Sequence, residues 1–401
     1  MKLYDDLMYR GLIKDSSSPE IERLLNEEKV TFYWGTDPTA DSLHLGHYSS
    51  LVTAKRLALH GHKPILLTGG ATGLIGDPRP TAEREIISYE AVRNNIEGIK
   101  NQIDKIFDGK AKLVNNYDWT KDYTFLNFLR DIGKYINVNY MLDKDIIRRR
   151  LETGITYAEF SYTLIQGNDF LELFNRENCI LQVEGSDQWG NISTGIELIK
   201  KKTGKEAYGF TMPLILDASG NKFGKSEGNA LWLDKNKTSS YKLYQYLVNT
   251  EDSKVIEYLK VFTFLSREEI EALEESVKNE PEKRLAQKAL AYEIVKDLHG
   301  EEEALNAKKT SEEVFSKGYS EEGMPEENIT LSENMNIMDL LVSVHIASSK
   351  SEARRLIEGN GISINGEKVS DTTLLITEDM FKDKFIISKG KKTHIKVNLV
   401  K

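Results

Sequence analysis

The sequence has almost no cysteine and no long hydrophobic run, and these shortages exclude several classes of protein. The single cysteine, Cys179, excludes an internal disulfide and a cysteine-rich metal site, as a reducing compartment would suggest. The longest mostly apolar stretch, residues 64–76, is interrupted by Thr and Gly and is shorter than the ~20 residues of a membrane span. The N-terminus carries Asp5 and Asp6 where a signal peptide would carry cations. We therefore expect a cytoplasmic protein with no membrane partner.

Length and charge indicate several domains with different partners. The 401 residues exceed the ~250–300 at which a single core stops growing, and a hydrophobic share of 39% is enough to form cores. The net charge of −9 argues against a chain that binds nucleic acid nonspecifically along its whole length. Residues 337–401, however, hold 11 Lys and Arg against 8 Asp and Glu, so this weakly basic segment hints at an anionic partner.

The order of the predicted elements indicates an α/β fold followed by smaller parts. Up to about residue 220, short β-like runs alternate with helical patterns, which is typical of βαβ units around a parallel sheet. The expected strands are 30–35, 64–68, 112–114 and 180–183, and the expected helices include 43–59 and 83–107. Residues 239–309 are predicted to be helical, 317–336 to be a polar linker unable to bury a core, and 337–401 to be a small α+β module.

Two histidines, His44 and His47, fall in the first turn of the helix that follows the first strand. Side chains at i and i+3 share one face, and the free amides and positive dipole end of a helix start attract anions, so phosphate binding is the functional interpretation. A helix start with incidental histidines is equally compatible with the motif alone. A zinc site is disfavoured because no Cys or carboxylate stands at a ligand spacing nearby. We expect Asp41 or Ser42 to cap this helix.

A second cationic pair, Lys222 and Lys225, lies on a loop beside Ser226 with glycines around it. Two lysines three residues apart on a hinged loop describe a mobile clamp for phosphates, and a solvated basic hairpin is the alternative. The glycine-dense turn at 69–78 can bring backbone close to a nucleotide, but it is neither a Walker A loop nor a Gly-x-Gly-x-x-Gly motif. These features predict a nucleotide site of another kind.

A polar stripe on one predicted helix consists of Tyr162, Gln166 and Asp169 at i, i+4 and i+7. The rest of this helix is largely apolar, so the stripe is expected to be buried and to need a hydrogen-bond partner. A small uncharged ligand with polar ends would supply that partner. An internal hydrogen-bond network is the structural alternative.

Together these motifs resemble the bacterial-type tyrosyl members of the class I aminoacyl-tRNA synthetase family. Residues 44–47 (HLGH) and 222–226 (KFGKS) are similar to the two signature motifs of the class. Tyr33, the polar stripe and residues 185–190 (GSDQWG) resemble the tyrosyl members, and residues 348–366 resemble the S4 RNA-binding fold. The resemblance covers essentially all 401 residues.

The resemblance implies a domain order and an activity. It implies a Rossmann-like catalytic domain over 1–222 with a helical dimerisation insertion, a loop and helical anticodon-binding domain over 223–316, a linker over 317–336, and an S4-like RNA-binding domain over 337–401. The implied reaction is activation of L-tyrosine by ATP to tyrosyl-adenylate and transfer to the 3′-terminal ribose of tRNA(Tyr), by a homodimer. ATP with Mg²⁺ is then a substrate, and no tightly bound cofactor or metal-ligating residue is implied.

The resemblance also implies roles for individual residues. The catalytic set would be Thr39, His44, His47, Lys222 and Lys225. The amino-acid site would comprise Tyr33 and Asp169 at the phenol, Tyr162, Gln166 and Asp77 at the ammonium group, and Asn116 and Gln188 nearby. The ATP site would comprise Gly35, Asp37, Gly46, Asp187, Phe223 and Ser226. RNA binding would fall to Lys350, Arg354 and Arg355, which lie close together on one predicted helix.

Three positions depart from the family pattern. Trp34 stands where a small residue is usual near the ribose, and Glu184 stands where a glycine is usual. The basic residue expected after Asp77 is either Arg79 or Arg84.

Three rival interpretations remain. A tryptophanyl enzyme of the same class would not need Asp169 opposite a phenol. A small nucleotidylyltransferase also uses a His-x-Gly-His turn, but it would leave the helical and S4-like domains unexplained. An RNA-binding protein derived from a synthetase is disfavoured by the intact histidines and loop lysines.

Overall fold

The computed structural model describes residues 2–78, 84–85, 87–226, 229–317, 324–332, 334–382, 384–390 and 393–400. The strands are β1 (Asp15–Ser16), β2 (Thr31–Thr36), β3 (Lys63–Thr68), β4 (Lys112–Asn115), β5 (Cys179–Gly185), β6 (Tyr208–Met212), β7 (Lys225–Ser226), β8 (Asn229–Ala230), β9 (Glu326–Ile329), β10 (Ile362–Ile364), β11 (Glu367–Lys368), β12 (Ile386–Lys389) and β13 (Thr393–Leu399). The predicted strands at 30–35, 64–68, 112–114 and 180–183 correspond to β2, β3, β4 and β5.

The helices of the first half are α1 (Leu3–Tyr9), α2 (Glu20–Glu27), α3 (Leu45–Leu59), α4 (Tyr89–Ile106), α5 (Tyr117–Thr120), α6 (Phe125–Asp131), α7 (Val138–Leu142), α8 (Asp145–Leu151), α9 (Tyr157–Glu177) and α10 (Trp189–Thr203). Those of the second half are α11 (Ser240–Val248), α12 (Asp252–Phe262), α13 (Arg267–Asn279), α14 (Leu285–His299), α15 (Glu301–Lys317), α16 (Ile337–Ser343) and α17 (Lys350–Glu358). The helix predicted from residue 83 begins later, because Ser88 caps α4 by accepting a hydrogen bond from the Ala91 amide.

The chain forms two compact units, Met1–Lys237 with Glu251–Pro281, and Thr238–Thr250 with Glu282–Lys401. This division differs from the predicted boundary at residue 222 and from a single helical domain over 223–316. Packing explains the difference, since the ring of Phe223 lies 4.5 Å from that of Tyr258 and 4.8 Å from that of Phe262, both on α12. The loop of residues 222–226, called the signature loop below, and α12 therefore belong to the unit that holds the parallel sheet.

The first unit is built on a six-stranded sheet with the order β1-β6-β5-β2-β3-β4. Strands β2 to β6 are parallel, and only the short edge strand β1 is antiparallel within the described sheet. Strand order reverses between β2 and β5, because the chain leaves β2 toward β3 on one side and later returns to β5 on the other. Ligands of open α/β sheets bind in the crevice beyond the carboxyl ends of the strands at such a point.

Within the second unit, described by itself, helices α11, α14 and α15 pack together, and a five-stranded sheet has the order β11-β10-β12-β13-β9. Strand β9 pairs in parallel with β13, and Ile329 joins the core of this module with Ile337 and Phe385. The polar linker predicted over 317–336 is therefore wrong for residues 326–329, because backbone pairing with β13 and one buried apolar side chain, Ile329, suffice for an edge strand. Residues 318–323 of that linker lie outside the described residues.

Candidate active site

The imidazoles of His44 and His47 form the start of α3 and face each other, with ring centroids 3.8 Å apart. His44, and not the predicted Asp41 or Ser42, is the N-cap, because its Nδ1 accepts a hydrogen bond from the Gly46 amide at 3.1 Å. The Nδ1 of His47 accepts from the His44 amide at 3.3 Å, which completes a capping box. A neutral ring that accepts at Nδ1 carries its proton on Nε2 and donates there. The Nδ1 atoms of both histidines therefore serve the helix start, and each neutral ring carries its donor on Nε2.

Burial, the neighbouring His44 ring and the charge of Arg84 lower the pKa of His47 to about 3. His47 is consequently a neutral donor at physiological pH. The zinc alternative finds no support in the geometry of the other histidines, since the His62 ring contacts the Leu25 carbonyl and the Val30 amide. No group of three or more metal-ligating side chains occurs among the described residues.

The signature loop lies directly against this helix start. The Leu45 amide donates to the Leu231 carbonyl at 2.8 Å, and the Leu231 amide donates to the Gly224 carbonyl at 3.0 Å. Gly224 has φ +89°, and a Cβ atom there would stand 2.8 Å from the Gly46 nitrogen, so only glycine fits this approach. Lys222 is exposed on the loop, whereas the side chains of Lys225 and Ser226 lie outside the described part of the chain.

Two residues of the predicted polar stripe of α9, Tyr162 and Asp169, are buried and bond to other polar side chains. The Tyr162 hydroxyl donates to Asp37 Oδ2 at 2.8 Å. Asp169 accepts from Asn116 Nδ2 at 2.9 Å and from Trp119 Nε1 at 2.8 Å. Gln166, between them, is half-buried. The structure thus brings Tyr162, Asp169 and Asn116 together and adds Asp37, which the resemblance had placed with ATP, and Trp119, which sequence reasoning missed.

A second group surrounds Asp77. Its Oδ2 accepts from Gln188 Nε2 at 2.8 Å and its Oδ1 from Asn191 Nδ2 at 3.3 Å. Burial raises the pKa of Asp77 to about 6, against the hydrogen bond from Gln188, and the charge of Asp37 adds to the rise. Burial also raises the pKa of Asp37, which hydrogen bonds from Thr72 and Tyr162 oppose. A buried acidic pair of this kind favours a ligand that carries positive charge.

Arg84 stands beside these acids, with its Nε donating to the Asp77 carbonyl at 3.0 Å. Its charge also lowers the pKa of Asp37. Of the two basic candidates after Asp77, Arg84 is therefore at the site, and Arg79 lies outside the described residues. The glycine-dense turn makes room for Asp37, because a Cβ atom on Gly69 would lie 2.1 Å from its Oδ1.

Two polar side chains, Tyr33 and Gln182, are buried beside each other near these acids. The hydroxyl of Tyr33 and both amide atoms of Gln182 make no hydrogen bond of good geometry with a described residue. Burial raises the pKa of Tyr33, and the neighbouring Gln182 side chain opposes that rise. These two residues are opposite each other on β2 and β5. Burial raises the pKa of the neighbouring Asp169 to about 7, against the hydrogen bonds from Asn116 and Trp119. Sequence reasoning missed Gln182, although a polar residue inside an apolar strand was a signal.

The remaining predicted nucleotide residues lie near the carboxyl ends of β2 and β5 or at the start of α3. Gly35 lies near the end of β2, Thr39 is exposed in the loop before α3, and Asp187 follows β5 in a short 3-10 turn. Gly46 allows close packing, since a Cβ atom there would stand 2.9 Å from His44 Cε1. Trp34 is buried and donates from Nε1 to Ser50 Oγ at 2.9 Å. This departure from the family pattern therefore fills the interior between β2 and α3.

In the second unit, α17 carries the predicted RNA-binding residues. Ala353 and Ile357 face the core, and Arg354 and Arg355 are exposed on the same helix. Lys350 is also exposed, but its Nζ forms an ion pair with Asp339. The cationic patch is therefore smaller than its sequence suggests and rests mainly on the two arginines.

Comparison with known proteins agrees with this geometry. Residues 25–316 match the family of class I tRNA synthetases (W and Y), and residues 316–397 match the tyrosine–tRNA ligase SYY-like C-terminal domain. The tyrosine–tRNA ligase of Staphylococcus carnosus is 48% identical and that of Geobacillus stearothermophilus 45% identical, covering 99% and 98% of this chain and 99% of each relative.

Solved structures give the same result. A C-terminally truncated mitochondrial tyrosyl-tRNA synthetase of Aspergillus nidulans shares 34% identity at a TM-score of 0.70, covering 78% of this chain and 94% of its own. A sheet of this order, with the HLGH helix and the KFGKS loop in contact, is a class I aminoacyl-tRNA synthetase fold. Within that class, the chain belongs to the tyrosine–tRNA ligase family.

Proposed function

We propose that this chain activates L-tyrosine with ATP and transfers it to the 3′-terminal ribose of tRNA(Tyr). The observation that carries the proposal is the buried polar group formed by Tyr33, Gln182 and Asp169, in which the Tyr33 hydroxyl and the Gln182 amide make no hydrogen bond of good geometry with a described residue. A phenol suits this group because its oxygen can accept a hydrogen bond from the Tyr33 hydroxyl, and its O–H can donate a hydrogen bond to Asp169. Each Asp169 oxygen already accepts one hydrogen bond and retains a second lone pair.

Selection of tyrosine over phenylalanine follows from the same atoms. Phenylalanine would offer no acceptor to the buried Tyr33 hydroxyl and no donor to Asp169, and leaving a buried polar group unpaired costs about 1–3 kcal/mol. Tyrosyl-tRNA synthetase is itself the standard example of such rejection, at roughly 10⁵-fold. A tryptophanyl activity is not favoured, since an indole has no hydroxyl for this pocket.

The acidic residues would hold the ammonium group of tyrosine. Tyr162 donates to Asp37, and Asp77 lies near enough for the charge of Asp37 to act on it, so the charged form of each carboxyl group is disfavoured by its surroundings. A bound cation relieves that cost and draws the acids into their charged forms. Gln166 and Gln188 add amide oxygens at this end of the pocket.

Activation needs no general base, because the tyrosine carboxylate is already ionised. Its oxygen bonds to the α-phosphorus of ATP, the bond from that phosphorus to the bridging oxygen breaks, and pyrophosphate leaves. The protein supplies orientation and donors for charge that develops on phosphate. Nε2 of His44 and His47 would serve the α-phosphate with Thr39, and Lys222, Lys225 and Arg84 would hold the leaving pyrophosphate.

Mg²⁺ would arrive with ATP. Such ions are held by substrate phosphates and one or two carboxylates, so they need no cage made by the protein alone. The absence of a larger ligand group among the described residues is compatible with that arrangement. When bound, the ion neutralises negative charge on the transferring phosphates.

We further propose a cytoplasmic homodimer that binds tRNA(Tyr) partly through the module of 337–401. Several large apolar side chains between α6 and α9 face outward, among them Phe125 at 66% and Leu126 at 75% exposure, which a second copy would cover. Arg354 and Arg355 are suited to phosphate contacts. No helix among the described residues has the length and apolar character to cross a membrane.

The test is aminoacylation by the purified chain. Incubated with ATP, Mg²⁺ and tRNA(Tyr), it should attach tyrosine to the tRNA and release AMP and pyrophosphate. Tryptophan offered in place of tyrosine with tRNA(Trp) is the matched control and should give no product. Charging of tRNA(Trp) with tryptophan, or no charging of tRNA(Tyr), would refute the proposal.

A further inference from the structure

Glu184 is a buried acid at the point where the central strands separate. Pairing of β2 with β5 ends at Tyr33 and Gln182, although β2 continues to Thr36 and β5 to Gly185. Beyond that pair the Gly35 amide has no ladder partner on β5, and it donates to Oε1 of Glu184 instead. The carboxyl group therefore spans the opening crevice at the reversal of strand order.

The surroundings of this carboxyl group favour its neutral form. Glu184 is 5% exposed, and burial raises its pKa well above the usual range, with the charges of Asp187 and Asp37 adding to the rise and the Gly35 amide opposing it. A neutral carboxyl group both donates and accepts, whereas a carboxylate would repel a triphosphate. Its second oxygen, Oε2, makes no hydrogen bond with any residue that the structure describes.

The position of Glu184 indicates which part of a ligand it meets. It lies on the same face of β5 as Gln182, two residues nearer to the carboxyl edge of the sheet. The phenol site at Tyr33 and Gln182 therefore lies deeper along the strands than Glu184. The groups proposed to bind phosphate belong to other elements, the start of α3 and the signature loop. Glu184 also lies near enough to Asp187 for the charge of Asp187 to disfavour a carboxylate, so the group is suited to neutral partners that carry hydroxyl groups.

We propose that Glu184 is a specificity-determining residue that binds a ribose hydroxyl of ATP through its free carboxyl oxygen. The inference rests on the proposed function and deepens it. The glycine that is usual at this position has no side chain to bind the ribose, whereas Glu184 offers a carboxyl group there. It joins the nucleotide to the strand pair whose separation forms the crevice.

The test compares ATP with 2′-deoxyATP and 3′-deoxyATP in tyrosine-dependent pyrophosphate exchange, for the wild type, Glu184→Ala, Glu184→Gln and the surface control Glu206→Gln. Glu184→Ala should raise KM for ATP about five- to tenfold, the usual loss of one neutral hydrogen bond, and leave KM for tyrosine within about twofold. For the analogue that lacks the contacted hydroxyl, KM should be the same in the wild type and Glu184→Ala, because the hydrogen bond is already absent. Glu184→Gln keeps a donor and an acceptor and should retain most of the ATP affinity.

Two results would overturn the proposal. One is an unchanged KM for ATP in Glu184→Ala. The other is an equal rise for ATP, both analogues and tyrosine with a lower melting temperature, which would make Glu184 only a strut between strands. Calorimetric binding of the three nucleotides to the wild type and Glu184→Ala needs no amino acid. It therefore tests Glu184 even if the wild type shows no tyrosine-dependent exchange, a result that would contradict the proposed function instead.

Discussion

The hydroxyl of Tyr162 donates to Oδ2 of Asp37 across 2.8 Å, joining α9 to the loop after β2. The bond opposes the rise that burial imposes on the pKa of Asp37, as does the bond from Thr72. Asp37 is thereby kept closer to the charged form that an ammonium ligand requires. The relationship links a residue of the predicted stripe to one that the sequence placed with the nucleotide.

Tyr162→Phe should therefore weaken tyrosine binding, and more strongly at low pH. Loss of the donor raises the pKa of Asp37 further, so a smaller fraction is charged as pH falls. KM for tyrosine, measured in pyrophosphate exchange as pH is lowered from 8, should rise more steeply in the variant than in the wild type. Tyr157→Phe, an exposed tyrosine at the start of the same helix, is the matched control. A pH-independent increase would show that Tyr162 acts only by packing.

Asp77→Asn should change how stability depends on pH. The pKa of Asp77 is about 6 when folded against a usual 3.8, so its stabilisation is full below pH 3.8 and is lost as pH rises through 6. Relative to the wild type, the variant should gain about 2 kcal/mol between pH 4.5 and 7.5. Urea unfolding without ligands measures this difference, and any constant penalty from the substitution cancels. A pH-independent offset would contradict the raised pKa.

Strands β2 to β5 and helices α3 and α4 between them could be predicted from the sequence, because hydrophobic periodicity and turn residues are local features of the chain. The pairing of Tyr33 with Gln182, and of Asp37 with Tyr162, could not, since strand register and helix docking join residues far apart in the chain. The cap of α3 was mispredicted because histidine is an uncommon cap, and here His44 performs that role with its ring. Ile329 shows that a polar segment can still supply an edge strand.

Lys222→Ala and Lys225→Ala should each slow adenylate formation and leave tyrosine binding nearly unchanged. A loop cation acts on charge that appears in the transition state, and loss of one preorganised donor costs about 2.7–4 kcal/mol of activation free energy. Rapid-quench formation of adenylate and equilibrium dialysis of tyrosine separate the two effects, with the exposed Lys205→Ala as control. An altered tyrosine affinity with an unchanged rate of adenylate formation would show that these lysines act on tyrosine binding and not on the leaving pyrophosphate.

Arg354→Ala and Arg355→Ala should raise KM for tRNA(Tyr) without changing tyrosine activation. Each lost phosphate contact should reduce the slope of log tRNA affinity against log salt concentration by about one unit or less. Lys382→Ala, exposed elsewhere in the same module, should have little effect. Unchanged tRNA affinity at every salt concentration would show that α17 does not meet the RNA.

Pyrophosphate exchange with tyrosine, phenylalanine and tryptophan, measured for the wild type and Asp169→Ala, tests the recognition of the phenol most directly. The wild type should exchange with tyrosine in strong preference to the other two. Asp169→Ala should lose much of the preference over phenylalanine, with KM for ATP little changed, because the penalty for a missing hydroxyl disappears with the buried acid. An unchanged ratio of tyrosine to phenylalanine in Asp169→Ala, or wild-type exchange led by tryptophan, would contradict tyrosine recognition at this pocket.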